Sequence, residues 1–122
     1  MLIKDFYKLI DLSSDGSGIV ATLKLNPEHK VYKGHFPNHP VVPGVIQLQI
    51  VKELLEQSLG KNLFMGNIQR VKYLKPVVPT NTSQLVFTII IKETDEQKIG
   101  SNVSIGLKDS IFTKAKIEFT II

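Results

Sequence analysis

Apolar and polar positions alternate in short runs over most of this chain, and one longer run has a different period. Residues 6–13 alternate imperfectly and predict a strand. Ser14-Asp15-Gly16-Ser17-Gly18 is a turn cluster, and residues 19–25 alternate again with β-branched side chains, so a hairpin is expected here. Asn26-Pro27-Glu28-His29 ends it. From Val45 to Leu59 the period lengthens: Val45, Leu48, Val51, Leu55 and Leu59 recur at three- and four-residue spacing, and Ile46, Ile50 and Leu54 widen the stripe. That spacing predicts a helix, with Gly60 as its stop. Lys52, Glu53, Glu56 and Gln57 read as its polar side. An apolar stripe this wide needs cover on most sides.

Beyond Leu63 the period of two returns. Residues 67–74, 84–92, 98–107 and 111–121 read as strands, separated by a Pro-rich break over 75–82 and turns at 93–96 and 108–110. Two strands, one long helix and four strands fit an α+β domain, a mainly antiparallel sheet of about six strands curved around one helix. No repeat, linker or low-complexity tract divides the 122 residues, which suffice for one core and are too few for two. A single domain over 1–122 is expected.

Composition narrows the chemistry. The absence of Cys excludes disulfides, a thiolate nucleophile and Cys-based metal sites. With 43% hydrophobic and 21% charged residues the chain is an ordinary globular domain with a slight apolar bias, easier to accommodate if a dimer buries part of the surface. The first residues lack the pattern of a signal peptide, and no apolar run approaches the ~20 residues of a membrane helix, so a cytoplasmic protein is expected. The net charge of +4 comes from bases spread along the chain, without a Lys/Arg block or a nucleic-acid module. It suits an acidic protein partner at least as well as nucleic acid.

The chemistry is concentrated in residues 34–49. Three of the six prolines and two of the three histidines lie here, directly before the predicted helix. The prolines stiffen the approach, and a helix opening at Pro43-Gly44 leaves backbone N–H groups unpaired at its start. A histidine on a rigid loop beside such a start has the parts of a proton-transfer site with an oxyanion hole. His29, His35 and His39 lack a carboxylate or Cys to complete a ligand set, so no metal site is expected.

Gly34-His35-Phe36-Pro37, Pro40 and Pro43-Gly44-Val45, followed by the helix, together with Lys75-Pro76-Val77-Val78-Pro79, resemble the 3-hydroxyacyl-ACP dehydratase family of the hot-dog fold. Pro43-Gly44-Val45-Ile46-Gln47-Leu48 also looks like a subgroup associated with aryl polyene-type pathways. The resemblance implies that His35 is the base removing the C2 proton of a 3-hydroxyacyl thioester. It makes the Gly44 N–H the donor to the thioester oxygen, with Phe36, Pro43 and Val45 lining the substrate site. It implies no cofactor, an acyl carrier protein or CoA thioester as substrate, and a homodimer with sites at the subunit interface, or a heterodimer with a homologue.

The family's acidic residue, which protonates the leaving hydroxyl, falls on Gln49. An amide orients a hydroxyl but does not deliver a proton as a carboxylic acid does, and losing a general acid commonly costs about 10²–10⁴-fold. Two readings therefore stay open, a dehydratase with Gln49 as a positioning group and a weakly active or non-catalytic acyl-thioester-binding subunit. A thioesterase ranks third, because the helix position that would carry its carboxylate holds Gln49. Glu53, one turn on, reads as part of the polar side, with substitution for the acid as the alternative. Lys33, Arg70, Lys72 and Lys75 are candidates for a docking surface toward an acidic carrier.

Overall fold

The computed structural model describes residues 5–33, 40–80, 84–107 and 109–122, and of residues 93 and 94 the backbone alone. Six strands and one long helix follow in the expected order: β1 (Tyr7–Asp15), β2 (Gly18–Leu25), α1 (Gly44–Leu59), β3 (Leu63–Tyr73), β4 (Gln84–Thr94), β5 (Lys98–Leu107) and β6 (Ser110–Ile121). The strands form one antiparallel sheet in the order β1-β2-β4-β5-β6-β3. Two details differ from the sequence reading. A short 3-10 turn (Lys30–Lys33) follows the first hairpin, and β3 begins four residues early, at Leu63.

Alternation along the strands sorts side chains between the two faces of the sheet. Ile19, Ala21, Leu23 and Leu25 of β2, Leu85, Phe87 and Ile89 of β4, and Ala115, Ile117 and Phe119 of β6 are buried on one face. Leu48, Ile50, Val51, Leu54 and Leu55 of α1 are buried in the same core. Each such Leu, Ile or Phe contributes about 1.5–3 kcal/mol through removal from water. The register is irregular at Leu9/Asp11, Met65/Asn67, Ile68/Arg70, Ile91/Glu93 and Ile105/Gly106, the kind of feature that increases local strand twist.

The helix ends are fixed by short-range chemistry. Gly60 adopts φ 66°, a left-handed C-cap that costs glycine nothing, and its N–H donates to the Glu56 carbonyl. The Glu56 carboxylate accepts from the Leu63 N–H at 2.8 Å and pairs with Lys52 at 3.3 Å, tying the helix end to the start of β3. Among the described residues no helix is long and apolar enough to cross a membrane.

β3 is an edge strand, paired only with β6, yet it carries exposed Phe64, Ile68 and Tyr73, and Leu74 just beyond it is exposed as well. An apolar unpaired edge is a liability unless something covers it.

Two aspartates hold the hairpin turns. Asp15 Oδ1 accepts from the Ser17 hydroxyl (2.7 Å), the Ser17 N–H (2.8 Å) and the Gly18 N–H (3.0 Å). Asp95 Oδ1 accepts from the N–H groups of Gln97 (2.7 Å) and Lys98 (2.8 Å). Those donors, the Ser17 hydroxyl first at Asp15 and the Gln97 N–H first at Asp95, hold both carboxyls below the usual range. A lowered folded-state value gives stabilisation that is complete above the unfolded carboxylate range and lost as pH falls through the folded value. In an NMR acid titration the amide shifts of Ser17, Gly18, Gln97 and Lys98 are expected to follow midpoints below that of an ordinary aspartate. Midpoints at or above the ordinary value would mean the turn bonds are absent in solution.

Candidate active site

The two Pro-rich segments meet at the start of α1. The Val42 N–H donates to the Val77 carbonyl at 2.8 Å, and both side chains are buried. Pro43, at φ −58° and ψ 144°, is the N-cap, and its carbonyl accepts from the N–H groups of Ile46 (3.1 Å) and Gln47 (3.2 Å). Proline's fixed φ and missing N–H suit a residue at a helix start. The N–H groups of Gly44 and Val45 lie in the first turn, where helix geometry supplies no carbonyl and the dipole favours negative charge. Val45 is 74% exposed, which removes it from the core stripe and leaves it available to a ligand or a second chain.

Gly44 lies against the end of the Tyr73 side chain. A Cβ there would overlap the hydroxyl and ring of Tyr73, the last residue of β3. Partial burial raises the Tyr73 phenol above its ordinary value, so it is neutral at physiological pH.

Gln47 entered the sequence reading only as a subgroup motif, and the structure gives it a larger part. It is 3% exposed; its Nε2 donates to the Val42 carbonyl (3.3 Å) and its Oε1 accepts from the Thr113 hydroxyl (2.6 Å). One amide thus joins the Pro-rich loop, the first turn of α1 and β6. The available signal was a glutamine inside the otherwise apolar run Val45-Ile46-Gln47-Leu48.

Glu53 is a correction. It is not on a solvated face but only 9% exposed. Tyr7 Oη donates to its Oε1 and Gln49 Nε2 to its Oε2, each at 3.3 Å. Desolvation, with the neighbouring Glu53 carboxylate second, pushes the Tyr7 phenol far above its ordinary range and keeps it a donor. Tyr7 comes from β1, 46 residues away, so no local pattern announces this contact.

Of the remaining candidates, His35, Phe36 and His39 lie outside the described residues. Gly44 and Gln49 share the helix but are five residues apart, about 140° around its axis at ~3.6 residues per turn. The Gly44 N–H points out of the helix start along the axis, whereas the Gln49 side chain leaves the helix more than a turn further on. Arg70 and Lys72 stand directly across from Lys116 and Lys114 of β6, and these four line an open groove of about 430 Å³ with Asn102. Like charges opposite one another across strands are unfavourable without an anion between them. Lys75 donates instead to the Ser110 hydroxyl (2.9 Å), and Lys33 lies on the 3-10 turn.

One helix against a six-stranded antiparallel sheet, opening at a Pro-Gly pair, is the hot-dog architecture shared by thioester dehydratases and thioesterases. The chain belongs to the ApeI-like dehydratase family, whose ApeI dehydratase description matches residues 11–105. It is 24% identical over 123 residues to a 3-hydroxyacyl-[acyl-carrier-protein] dehydratase FabZ of Lactobacillus helveticus, covering 95% of this chain and 82% of that one. The ApeI:P dehydratase heterocomplex of Xenorhabdus doucetiae superposes with a TM-score of 0.75 at 23% identity, over 93% of this chain and 97% of that one. A Pseudomonas aeruginosa thioesterase gives 0.64 at 6% identity, over 95% of this chain and 81% of that one, a likeness of fold alone.

Gln47→Ala strips a partner from two buried groups, the Thr113 hydroxyl and the Val42 carbonyl. Each unsatisfied group costs about 1–3 kcal/mol. Denaturant unfolding of Gln47→Ala is expected to show a loss of about 2–6 kcal/mol over the two groups, with Thr113→Val milder because it breaks the bond to β6 and keeps the one to Val42. Equal stability in Gln47→Ala and the parent would show that the tether is not formed.

Proposed function

We propose that this protein dehydrates 3-hydroxyacyl thioesters carried on acyl carrier protein to the trans-2-enoyl products. The observation that carries the reading is the helix start, where Pro43-Gly44 leaves two backbone donors directly after a segment that contains His35. Removing a proton α to a thioester develops negative charge on the thioester oxygen, and preorganised N–H groups at a helix N-terminus stabilise it in place. In this reading His35 takes the C2 proton, Gly44 N–H holds the oxygen, Phe36, Pro43 and Val45 line the acyl path, and Gln49 positions the 3-hydroxyl. Family membership and the FabZ likeness support the reaction class.

The reading requires two chains. The family resemblance sets the loop histidine of one chain against the helix residue of its mate, so in this reading Gln49 reaches the site of His35 from a second chain. The uncovered apolar edge of β3, with Phe64 and Ile68 exposed, suits pairing with a second copy or a homologue. The cationic groove at Arg70, Lys72, Lys114 and Lys116 suits an acidic carrier.

A second reading, an acyl-thioester-binding subunit that completes a site in a homologue, is favoured by one residue, the amide at position 49. The two are separable by complementation. His35→Ala is expected to lower turnover of a 3-hydroxyacyl carrier thioester by about 10²–10⁴-fold. Gln49→Ala is expected to lower it as well. Mixing the two variants through mild unfolding and refolding restores about a quarter of wild-type activity, because half of all the dimers are mixed and each mixed dimer carries one intact site of two. No restoration contradicts shared sites, and turnover unaffected by His35→Ala contradicts the assignment of the base.

A further inference from the structure

Gln49 stands where the reaction calls for a carboxylic acid, and a buried carboxylate lies one turn away in hydrogen-bond contact with it. We propose that Glu53 is a positioning residue for Gln49, and that Tyr7, Glu53 and Gln49 form one unit that fixes which end of the Gln49 amide meets the substrate hydroxyl. The inference rests on the dehydratase reading for its substrate, and on this structure alone for its geometry.

A carboxylate only accepts, so the amide end that faces Glu53 Oε2 must be the NH₂ group. This fixes the sense of the amide. Gln49 Oε1 and its second N–H remain for a ligand, and Gln49 is half-buried, so they are within reach of one. The other carboxylate oxygen is occupied by Tyr7 Oη, which keeps Glu53 from turning away. Both contacts are 3.3 Å, long for bonds to a carboxylate, so the unit sets orientation more than it adds strength.

The same contacts argue against Glu53 as the proton donor. Donors face both of its oxygens, so neither holds a proton in position to leave, and 9% exposure gives a substrate little access. Glu56, the other carboxylate on α1, is engaged with Lys52 and the Leu63 N–H. The helix thus supplies no ready acid, and Gln49 orients the 3-hydroxyl as acceptor and donor together. On this account the departing hydroxyl takes a proton from solvent and leaves as water, and His35 returns the C2 proton to solvent, so the protons balance over each turnover.

Four variants and two readouts test this on the full chain, with thermal unfolding confirming that each is folded. The readouts are the side-chain amide NMR signals of Gln49, assigned by their absence in Gln49→Ala, and kcat and KM for a 3-hydroxyacyl carrier thioester. Glu53→Met and Tyr7→Phe remove parts of the unit, and Glu53→Gln keeps an acceptor for Gln49. In Glu53→Met the Gln49 amide signals are expected to move to solvent-like values and kcat to fall about tenfold, the worth of one hydrogen bond, with KM changing less than about threefold. Tyr7→Phe moves the signals part of the way, and Glu53→Gln retains kcat within about threefold of wild type.

Gln49 signals unmoved in Glu53→Met overturn the proposal. An equal kcat loss of about 10² or more in Glu53→Gln and Glu53→Met also overturns it, and makes Glu53 the acid. If the wild type itself shows no turnover, the dehydratase reading fails. The amide signals then decide the positioning claim by themselves.

Discussion

The placement of α1 depends on the Gln47 carboxamide. It bonds the Val42 carbonyl on one side and the Thr113 hydroxyl on the other, and Val42 in turn bonds Val77 in the second Pro-rich break. Apolar packing supplies most of the energy that seats the helix, but packing is non-directional and tolerates small rotations. A buried amide with one donor and one acceptor engaged does not, since rotation would strand a polar group in the core. At the helix start this anchor sets the rotation of the first turn, and the Tyr7–Glu53 and Leu63–Glu56 contacts hold the turns beyond it.

A second consequence is that polar groups line the helix within a largely apolar core. Gln47 holds the helix start, the Gln49–Glu53 pair lies in the middle, and Glu56 closes the end against Leu63. Gln47 and Glu53 are buried, Glu56 is partly exposed but engaged by Lys52 and the Leu63 N–H, and Gln49 is half-buried with its Oε1 and one N–H to spare. Its neighbours on the helix are already engaged, and this is why the proposed reading centres on Gln49 and on the first-turn N–H groups at Gly44. Under the proposed reading, a site is complete only when a second chain contributes to it. The apolar edge of β3 and the exposed Val45 are where a second chain would complete it.

The order of elements and the sheet's inner face were legible in the sequence, because alternation in residues 19–25 and 111–121 and the helical period from Val45 to Leu59 record burial directly. The Pro-Gly helix start was legible for the same reason, since both residue types carry backbone consequences of their own. Glu53 was misread as solvated because its local neighbours Lys52 and Glu56 are polar, whereas its burial comes from packing and from Tyr7 on β1. The pairing of the two Pro-rich breaks through Val42 and Val77 is likewise long-range. Val45 shows the reverse failure, an apolar residue fitting the stripe by period but left exposed at the helix's first turn. Sequence period reports which face a residue takes within its own element, and tertiary contacts decide whether that face is covered.

The central claim is that this scaffold performs chemistry on a 3-hydroxyacyl thioester despite an amide at position 49. Intact-mass spectrometry of a 3-hydroxyacyl carrier protein after incubation with the purified wild-type chain tests it most directly. Dehydration predicts a carrier species lighter by one water with the thioester intact. An unchanged carrier would contradict the claim and favour a binding subunit, and a carrier that has lost its acyl group would show hydrolysis instead.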